Sequence, residues 1–318
     1  MPEMAPGYPE PLVISPLDVH QYTFILLHGQ GSSAVKFGPT LLSSPISGLP
    51  GSTCPECTLA STFPHAKFVF PTASRRRATV YKRSIINQWF DSWTLSTDTA
   101  PPATALERQM RESLQIDGLR ETATYLHELL RREVSLLGGN SKRVFLGGLS
   151  QGCAASLVAL LLWDGGPLGA AIGMCGWLPF QRQMDLVARG VDDIEEGAHV
   201  GDEDFNPFED SADSSDNNDI SKSPRPPPVQ AVAFLMEELE ISLPSTLPCT
   251  LPFQDTRLFI GHGVEDQKIP VCLGREAASF LDTMGMEVTW KDWLSSVFIG
   301  LTMPTSTYSL DSYSSHQN

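Results

Sequence analysis

The stretch Arg143-Val144-Phe145-Leu146-Gly147-Gly148-Leu149-Ser150-Gln151-Gly152-Cys153-Ala154-Ala155-Ser156-Leu157-Val158-Ala159-Leu160-Leu161-Leu162-Trp163 decides the fold. Its opening, Arg143 to Gly147, is a short apolar run of the kind that forms a strand covered on both faces. Its close, Gln151 to Trp163, is an apolar helical run too short to cross a bilayer. Between them Gly148-Leu149-Ser150-Gln151-Gly152 has the Gly-x-Ser-x-Gly spacing. Glycine on either side lets the backbone take a sharp strand-to-helix turn that lifts the serine hydroxyl above the strand end. The N–H of Gln151 then sits at a helix N-terminus, where it can stabilise an oxyanion. The frame of strand and helix makes this match far more specific than the bare spacing.

Outward from this unit, apolar runs at Tyr22 to Leu27, Lys67 to Phe70, Leu168 to Ile172, Thr256 to Ile260 and Met286 to Trp290 predict further strands. Leu119, Ala123, Leu126, Leu130 and Val134 recur at helical spacing and are followed by Gly138 and Gly139. A second helix is expected from about Leu273 to Met284, stopped by Gly285. Strands of continuous apolar character alternating with helices predict an α/β fold, a mainly parallel sheet covered by helices on both faces. One catalytic domain is expected over 21–293, preceded by an N-terminal extension, 1–20, and followed by an atypical tail, 294–318.

The formal charge of −15 is concentrated. Asp192 through Asp219 holds twelve acidic residues and no Lys or Arg, so the rest of the chain carries only −3. With the Pro-rich Ser223 to Pro228 behind it, the stretch 192–228 reads as a disordered insertion, and its serines leave a regulatory or docking role open. No basic face is expected on the remainder, which argues against nucleic acid and against anionic membrane surfaces as partners. Met1 to Leu12 lacks the basic-then-apolar pattern of a secretory signal, and no run is long enough for stable membrane insertion. Six cysteines scattered over 318 residues make no disulfide framework. The expected location is therefore cytoplasmic. Cys54 and Cys57 form a Cys-x-x-Cys pair that would suit a redox pair or half a zinc site, but no second half-site follows and a chance pairing in a loop is the favoured reading, so no metal or cofactor is assigned to it.

Further site candidates flank the serine. Leu26-Leu27-His28-Gly29-Gln30-Gly31 is a glycine-rich loop after an early strand, placed to supply a second oxyanion N–H from Gln30. His28 precedes the serine in the chain and reads as a packing histidine. Gly261-His262-Gly263-Val264-Glu265-Asp266 follows a late strand, where an acid that orients a catalytic base belongs. Asp266 is the expected acid, with Glu265 its rival and a purely structural turn acid the plain alternative.

In this order, Leu27-His28-Gly29-Gln30-Gly31, Gly148-Leu149-Ser150-Gln151-Gly152 and Gly261-His262-Gly263-Val264-Glu265-Asp266 resemble the acyl-protein thioesterase and carboxylesterase family of α/β-hydrolases, in its fungal form. The likeness runs from about Tyr22 to Trp293 and takes in Phe68 to Ala73 and Trp89-Phe90-Asp91. The resemblance implies a metal-free cytosolic hydrolase of acyl esters or thioesters, whose substrate is an acylated protein, a lysophospholipid or a small ester. By position it implies Ser150 as nucleophile, Asp266 as orienting acid and the Gln30 and Gln151 amides as the oxyanion hole. It also places Trp89 near the acyl pocket, with a buried core aromatic as the equal alternative.

One part of the pattern does not match. The family carries its catalytic histidine in a Gly-His-Trp-like motif soon after a strand similar to Glu287-Val288-Thr289-Trp290-Lys291. Here Trp293 is followed by Leu294-Ser295-Ser296-Val297 and a Ser, Thr and Tyr-rich tail whose only histidine is His316. Without a base, a serine hydroxyl loses about a millionfold in turnover. Three readings stand: a translated intron or frameshift after Trp293, a catalytically inactive binder of lipid or acylated protein, or a base supplied by His316. The abrupt end of the resemblance favours the first.

Overall fold

The computed structural model describes residues 7–45, 57–95, 104–191, 225–244 and 248–294. The acidic stretch 192–219, Cys54, His316 and the tail from Ser295 lie outside the described residues. The strands are β1 (Leu12–Ile14), β2 (Tyr22–Leu27), β3 (Ala66–Phe70), β4 (Arg75–Ala78), β5 (Ser84–Asn87), β6 (Val144–Leu149), β7 (Ala170–Met174), β8 (Leu258–Gly263) and β9 (Val288–Trp293). Interleaved with them are α1 (Ala34–Ser43), α2 (Leu59–Thr62), α3 (Ala105–Ser113), α4 (Ile116–Leu136), α5 (Gln151–Leu161), α6 (Gln181–Arg189), α7 (Pro227–Glu238) and α8 (Val271–Thr283).

Seven strands form one sheet in the order β1-β3-β2-β6-β7-β8-β9, parallel throughout except for β1, which pairs antiparallel with β3. The expected mainly parallel α/β sheet is therefore what forms. Its central strands bury both faces, and two apolar clusters result. The larger gathers α4, α5, α7 and α8 around Ile25, Val144, Leu146 and Ile260. The smaller packs Phe37 and Leu41 of α1 against Phe24, Phe68 and Phe70. A buried charge pair sits at the edge of the larger cluster: Lys67 Nζ lies 2.8 Å from both carboxylate oxygens of Glu133, which is fully buried and also accepts from Thr23 Oγ1.

Three expectations are corrected. Residues set apart as an N-terminal extension pack against the core: Leu12–Ile14 is an edge strand, and the Tyr8 ring stacks on Tyr125 at 4.0 Å. A three-residue strand is too short to show a period in sequence, which is why it was unreadable. The boundary of the insertion also moves, because Pro227 and Pro228 open α7. Proline fits the first turn of a helix, where its absent N–H has no acceptor, and Val229, Val232 and Leu235 behind it are buried. Finally, a basic face exists. Arg75, Arg77, Lys82 and Arg83 are exposed together on the β4–β5 hairpin, a clustering that whole-chain charge averages away.

Candidate active site

Ser150 follows β6 directly and stands at φ 55°, ψ −121°, a strained conformation for a residue with a side chain. Its surroundings hold it there. Its N–H donates to the Met174 carbonyl at 2.7 Å, and α5 begins at the next residue. The two glycines of the motif are required by close approach. A Cβ on Gly148 would collide with the Gly152 carbonyl, and one on Gly152 would lie 2.6 Å from the His28 carbonyl oxygen. Thus the turn at Ser150 and the loop after β2 touch backbone to backbone. The Ser150 hydroxyl has no hydrogen-bond partner among the described residues.

Gln151 occupies the first position of α5, where a helix leaves its N–H without an intrahelical acceptor. Its side chain is buried and committed elsewhere, accepting from the Trp89 N–H at 3.0 Å and donating to the Phe90 carbonyl at 2.8 Å. The loop carrying Gln30 is pinned from the same segment. Gly31 N–H donates to the Asn87 carbonyl at 2.8 Å, Asn87 Nδ2 donates to the Ser32 carbonyl, and Gln30 Nε2 donates to Gln88 Oε1. His28 is fully buried beneath the loop, with Nδ1 donating to the Gly29 carbonyl and Nε2 accepting from Ala73 N–H. Burial pushes its pKa down to about 4, so the ring stays neutral in a packing role.

Trp89 does not line the cavity beside Ser150. It is fully buried, and its Nε1–H donates to the His28 carbonyl at 2.8 Å. Of the two places expected for it, acyl pocket or core, its burial corresponds to the core: a buried indole needs an acceptor for its N–H, and here that need fixes the loop of Gln30.

Asp266 lies in the turn after β8. Its Oδ1 accepts from the N–H groups of Lys268 at 2.8 Å and Ile269 at 3.0 Å, while Oδ2 stands 3.8 Å from His262 Nε2. Glu265, its rival, is exposed and takes no part in this network. His262 is fully buried and donates from Nε2 to the Ile269 carbonyl at 2.9 Å. Burial lowers its pKa, opposed by the Ile269 hydrogen bond and the Asp266 charge. Cys175, at φ 49°, completes a group whose ligand atoms lie within 4.8 Å of one another with His262 and Asp266. That group does not suit a metal ion. The imidazole nitrogen facing Asp266 is a hydrogen-bond donor, with no lone pair to give, and burial pushes the Cys175 thiol up to about 11.

Gln30, Ser150 and Gln151 open onto one cavity of about 670 Å³, whose far wall is Gln267, Lys268 and Ile269 of the Asp266 turn. Its apolar lining includes Val80, Tyr81, Trp93, Leu95 and Trp177, none of which the sequence reading had placed there. For Trp177 a signal existed, since it closely follows the C-terminal end of a parallel strand, where ligands bind in open α/β sheets. Tyr81 and Trp93 come from segments without a readable period. The described histidines are His20, His28, His65, His127 and His262, and none of them lines the cavity.

Comparison with known proteins agrees with this architecture. Residues 9–209 match the family model described as phospholipase/carboxylesterase, so the match begins ahead of β1. Acyl-protein thioesterase 1 of Schizosaccharomyces pombe is 29% identical over 184 residues, covering 57% of this chain and 68% of that protein. Carboxylesterase SOBER1 of Arabidopsis thaliana is 30% identical over 163 residues, covering 51% of this chain and 60% of that protein. The matched stretches thus span about three fifths to two thirds of the curated relatives' length. Among solved structures, Zea mays acyl-protein thioesterase 2 superposes with a TM-score of 0.53 at 20% identity, covering 90% of each chain. Arabidopsis SOBER1 superposes with 0.51 at 18%, covering 86% of this chain and 88% of its own. The strand-serine-helix turn, the parallel sheet that carries it and the match over residues 9–209 lead to one conclusion: this chain belongs to the phospholipase/carboxylesterase family of α/β-hydrolases.

Proposed function

We propose that the chain is a serine hydrolase of carboxylic esters and thioesters, with Ser150 as its nucleophile. The observation that carries this reading is the strained Ser150, its hydroxyl unbonded at a cavity that also holds Gln30, Gln151 and five apolar side chains. Ser150 Oγ bonds to the acyl carbon, the carbonyl oxygen takes the negative charge, and the amides of Gln30 and Gln151 stabilise it. The bond from acyl carbon to the leaving alkoxide or thiolate then breaks. The proton from Ser150 goes to the leaving group, and water releases the acid in a second, equivalent step. Asp266 serves to orient the base that carries this proton. The apolar lining suits an acyl chain, and the substrate is an acylated protein, a lysophospholipid or a small ester. Cys153, Cys175, Cys249 and Cys272, free thiols among the described residues, fit a reducing cytoplasmic setting. No described helix is long and apolar enough to cross a membrane.

A second reading, a catalytically inactive binder of lipid or acylated protein, is favoured by one observation: no described histidine lines the cavity. The deciding measurement is the initial rate of hydrolysis of a short p-nitrophenyl acyl ester by this chain and by Ser150→Ala. The hydrolase reading expects a rate that Ser150→Ala reduces to background. Equal rates would overturn it, and retained binding of a fatty acid by both proteins would then support the binder.

A further inference from the structure

Among the described residues that line the cavity of Ser150, Lys268 is the single charged side chain, in a protein whose formal charge is −15. The turn after β8 fixes its backbone closely. Its N–H donates to Asp266 Oδ1 at 2.8 Å, and the next N–H, of Ile269, donates to the same oxygen at 3.0 Å. The Ile269 carbonyl in turn accepts from His262 Nε2 at 2.9 Å. Ile269 is buried, while Lys268 is exposed and its side chain forms no ion pair among the described residues. The turn therefore anchors the main chain of Lys268 and leaves a flexible stem to carry its charge at the cavity.

Two carboxylates stand behind the lining, and neither is part of it. Asp91 Oδ1 accepts from the N–H groups of Thr79 at 2.9 Å and Ser92 at 3.0 Å, and its Oδ2 accepts from Thr79 Oγ1 at 2.6 Å. Asp266 is engaged in the same way by Lys268 and Ile269. Both acids thus serve backbone donors, and the charge presented to the cavity itself is positive. Its apolar walls, Trp93, Leu95 and Trp177 among them, focus that charge rather than screen it. A plain fatty acyl chain uses the apolar walls alone and gives the cation nothing to bind. Lysine is a compact single charge, which a carboxylate matches one to one. A doubly charged phosphate would leave its second charge facing Asp266.

We propose that Lys268 binds a carboxylate carried by the substrate, so that the preferred ester or thioester is an anionic one. The proposal rests on the hydrolase reading for the bond that is cleaved, and its test keeps the two apart. The first measurement is kcat/KM, divided by the uncatalysed rate, for two matched pairs of esters. In one pair, p-nitrophenyl octanoate is set against the p-nitrophenyl monoester of octanedioic acid, with its carboxylate at the acyl end. In the other, ethyl octanoate is set against carboxymethyl octanoate, with its carboxylate on the alcohol side. The anionic member of one pair is expected to be preferred roughly tenfold, the worth of one charge-assisted hydrogen bond at a site open to water. The pair that shows this preference locates the carboxylate on the substrate. Lys268→Gln brings the ratio to about one, Lys268→Arg keeps most of it, and rising salt lowers it in the unaltered protein. A ratio near one for both pairs, one that Lys268→Gln leaves intact, or one indifferent to salt would overturn the proposal. The second measurement needs no turnover: quenching of tryptophan fluorescence, with Trp93 and Trp177 at the cavity, by octanamide and by its ω-carboxylate counterpart. If no ester is hydrolysed but the carboxylated amide binds about tenfold tighter through Lys268, the hydrolase reading fails and the anion site stands. Hydrolysis without preference, or equal binding of the two amides, sinks the anion site and leaves the hydrolase reading untouched.

Discussion

The two sides of the cavity are held in different ways. On the nucleophile side, the Gln30 loop and the Ser150 turn are tied down by a separate segment, 87–90, through Asn87, Gln88, Trp89 and the carbonyl of Phe90. Distant segments must all be in place for that geometry to form, and once formed it is fixed in advance, as the proposed stabilisation of an oxyanion by Gln30 and Gln151 would require. On the acid side, the Asp266 turn is closed by its own neighbours, Lys268 and Ile269, with His262 from the adjoining strand. One carboxylate oxygen is used to shape the turn, and the other faces His262 at 3.8 Å. Preorganisation thus resides on one side of the cavity, while the other side supplies a local, self-contained turn.

Three experiments break or sharpen this contrast. The largest effect belongs to the acid side: Asp266→Asn is expected to lower the Ser150-dependent kcat by about 10⁴, the cost of a misoriented base. An unchanged kcat would remove Asp266 from the mechanism. Next comes the pH dependence of the nucleophile side. His28 has a pKa of about 4 in the folded protein against 6.5 when unfolded, so the unfolded chain binds more protons between those values. Stability from this group is then full above about pH 6.5 and declines as the pH falls toward 4, by about 3 kcal/mol in all. Urea unfolding at a series of pH values, in the native chain and in His28→Asn, measures the slope. An identical slope in both proteins would refute it. Smallest is Trp89→Phe, which keeps the packing and removes the hydrogen bond to the His28 carbonyl. It is expected to cost about 1 kcal/mol, read as roughly a fivefold lower kcat with KM unchanged. A change in KM alone would instead return Trp89 to the substrate.

How far the sequence could be read differs along the same division. The six principal strands and the helices α4, α5 and α8 carry regular apolar periods and were legible. The sequence places the ends of β2 and β3 correctly, whereas β6, β7, β8 and β9 run two or three residues past the ends it suggests. Gly148-Leu149, Gly173-Met174 and Gly261-His262-Gly263 look like loops, yet they remain in the ladder because close packing there favours glycine. Motif spacing gave Ser150, Gln151, Gln30 and Asp266 as candidates, but the cavity wall from Tyr81, Trp93 and Leu95 arises from a hairpin and a connecting loop without period. Trp89 shows the limit most plainly. The sequence offered pocket or core as equals, and a single indole N–H with its acceptor separates them.

The ring of Tyr8 has a consequence for anyone handling this protein. Arg76 donates to the Tyr8 hydroxyl, Tyr8 in turn bonds Thr122 Oγ1 at 2.8 Å, and Thr122 donates to the Trp89 carbonyl at 2.6 Å. The opposite edge of Trp89 holds the loop of Gln30 through His28. A shortened version cut to begin at the first obvious strand, Tyr22, would remove the Tyr8 link between Arg76 and Thr122 and the edge strand with it. Such a trimmed protein, however well it expresses, is better regarded as an active-site variant than as a minimal domain.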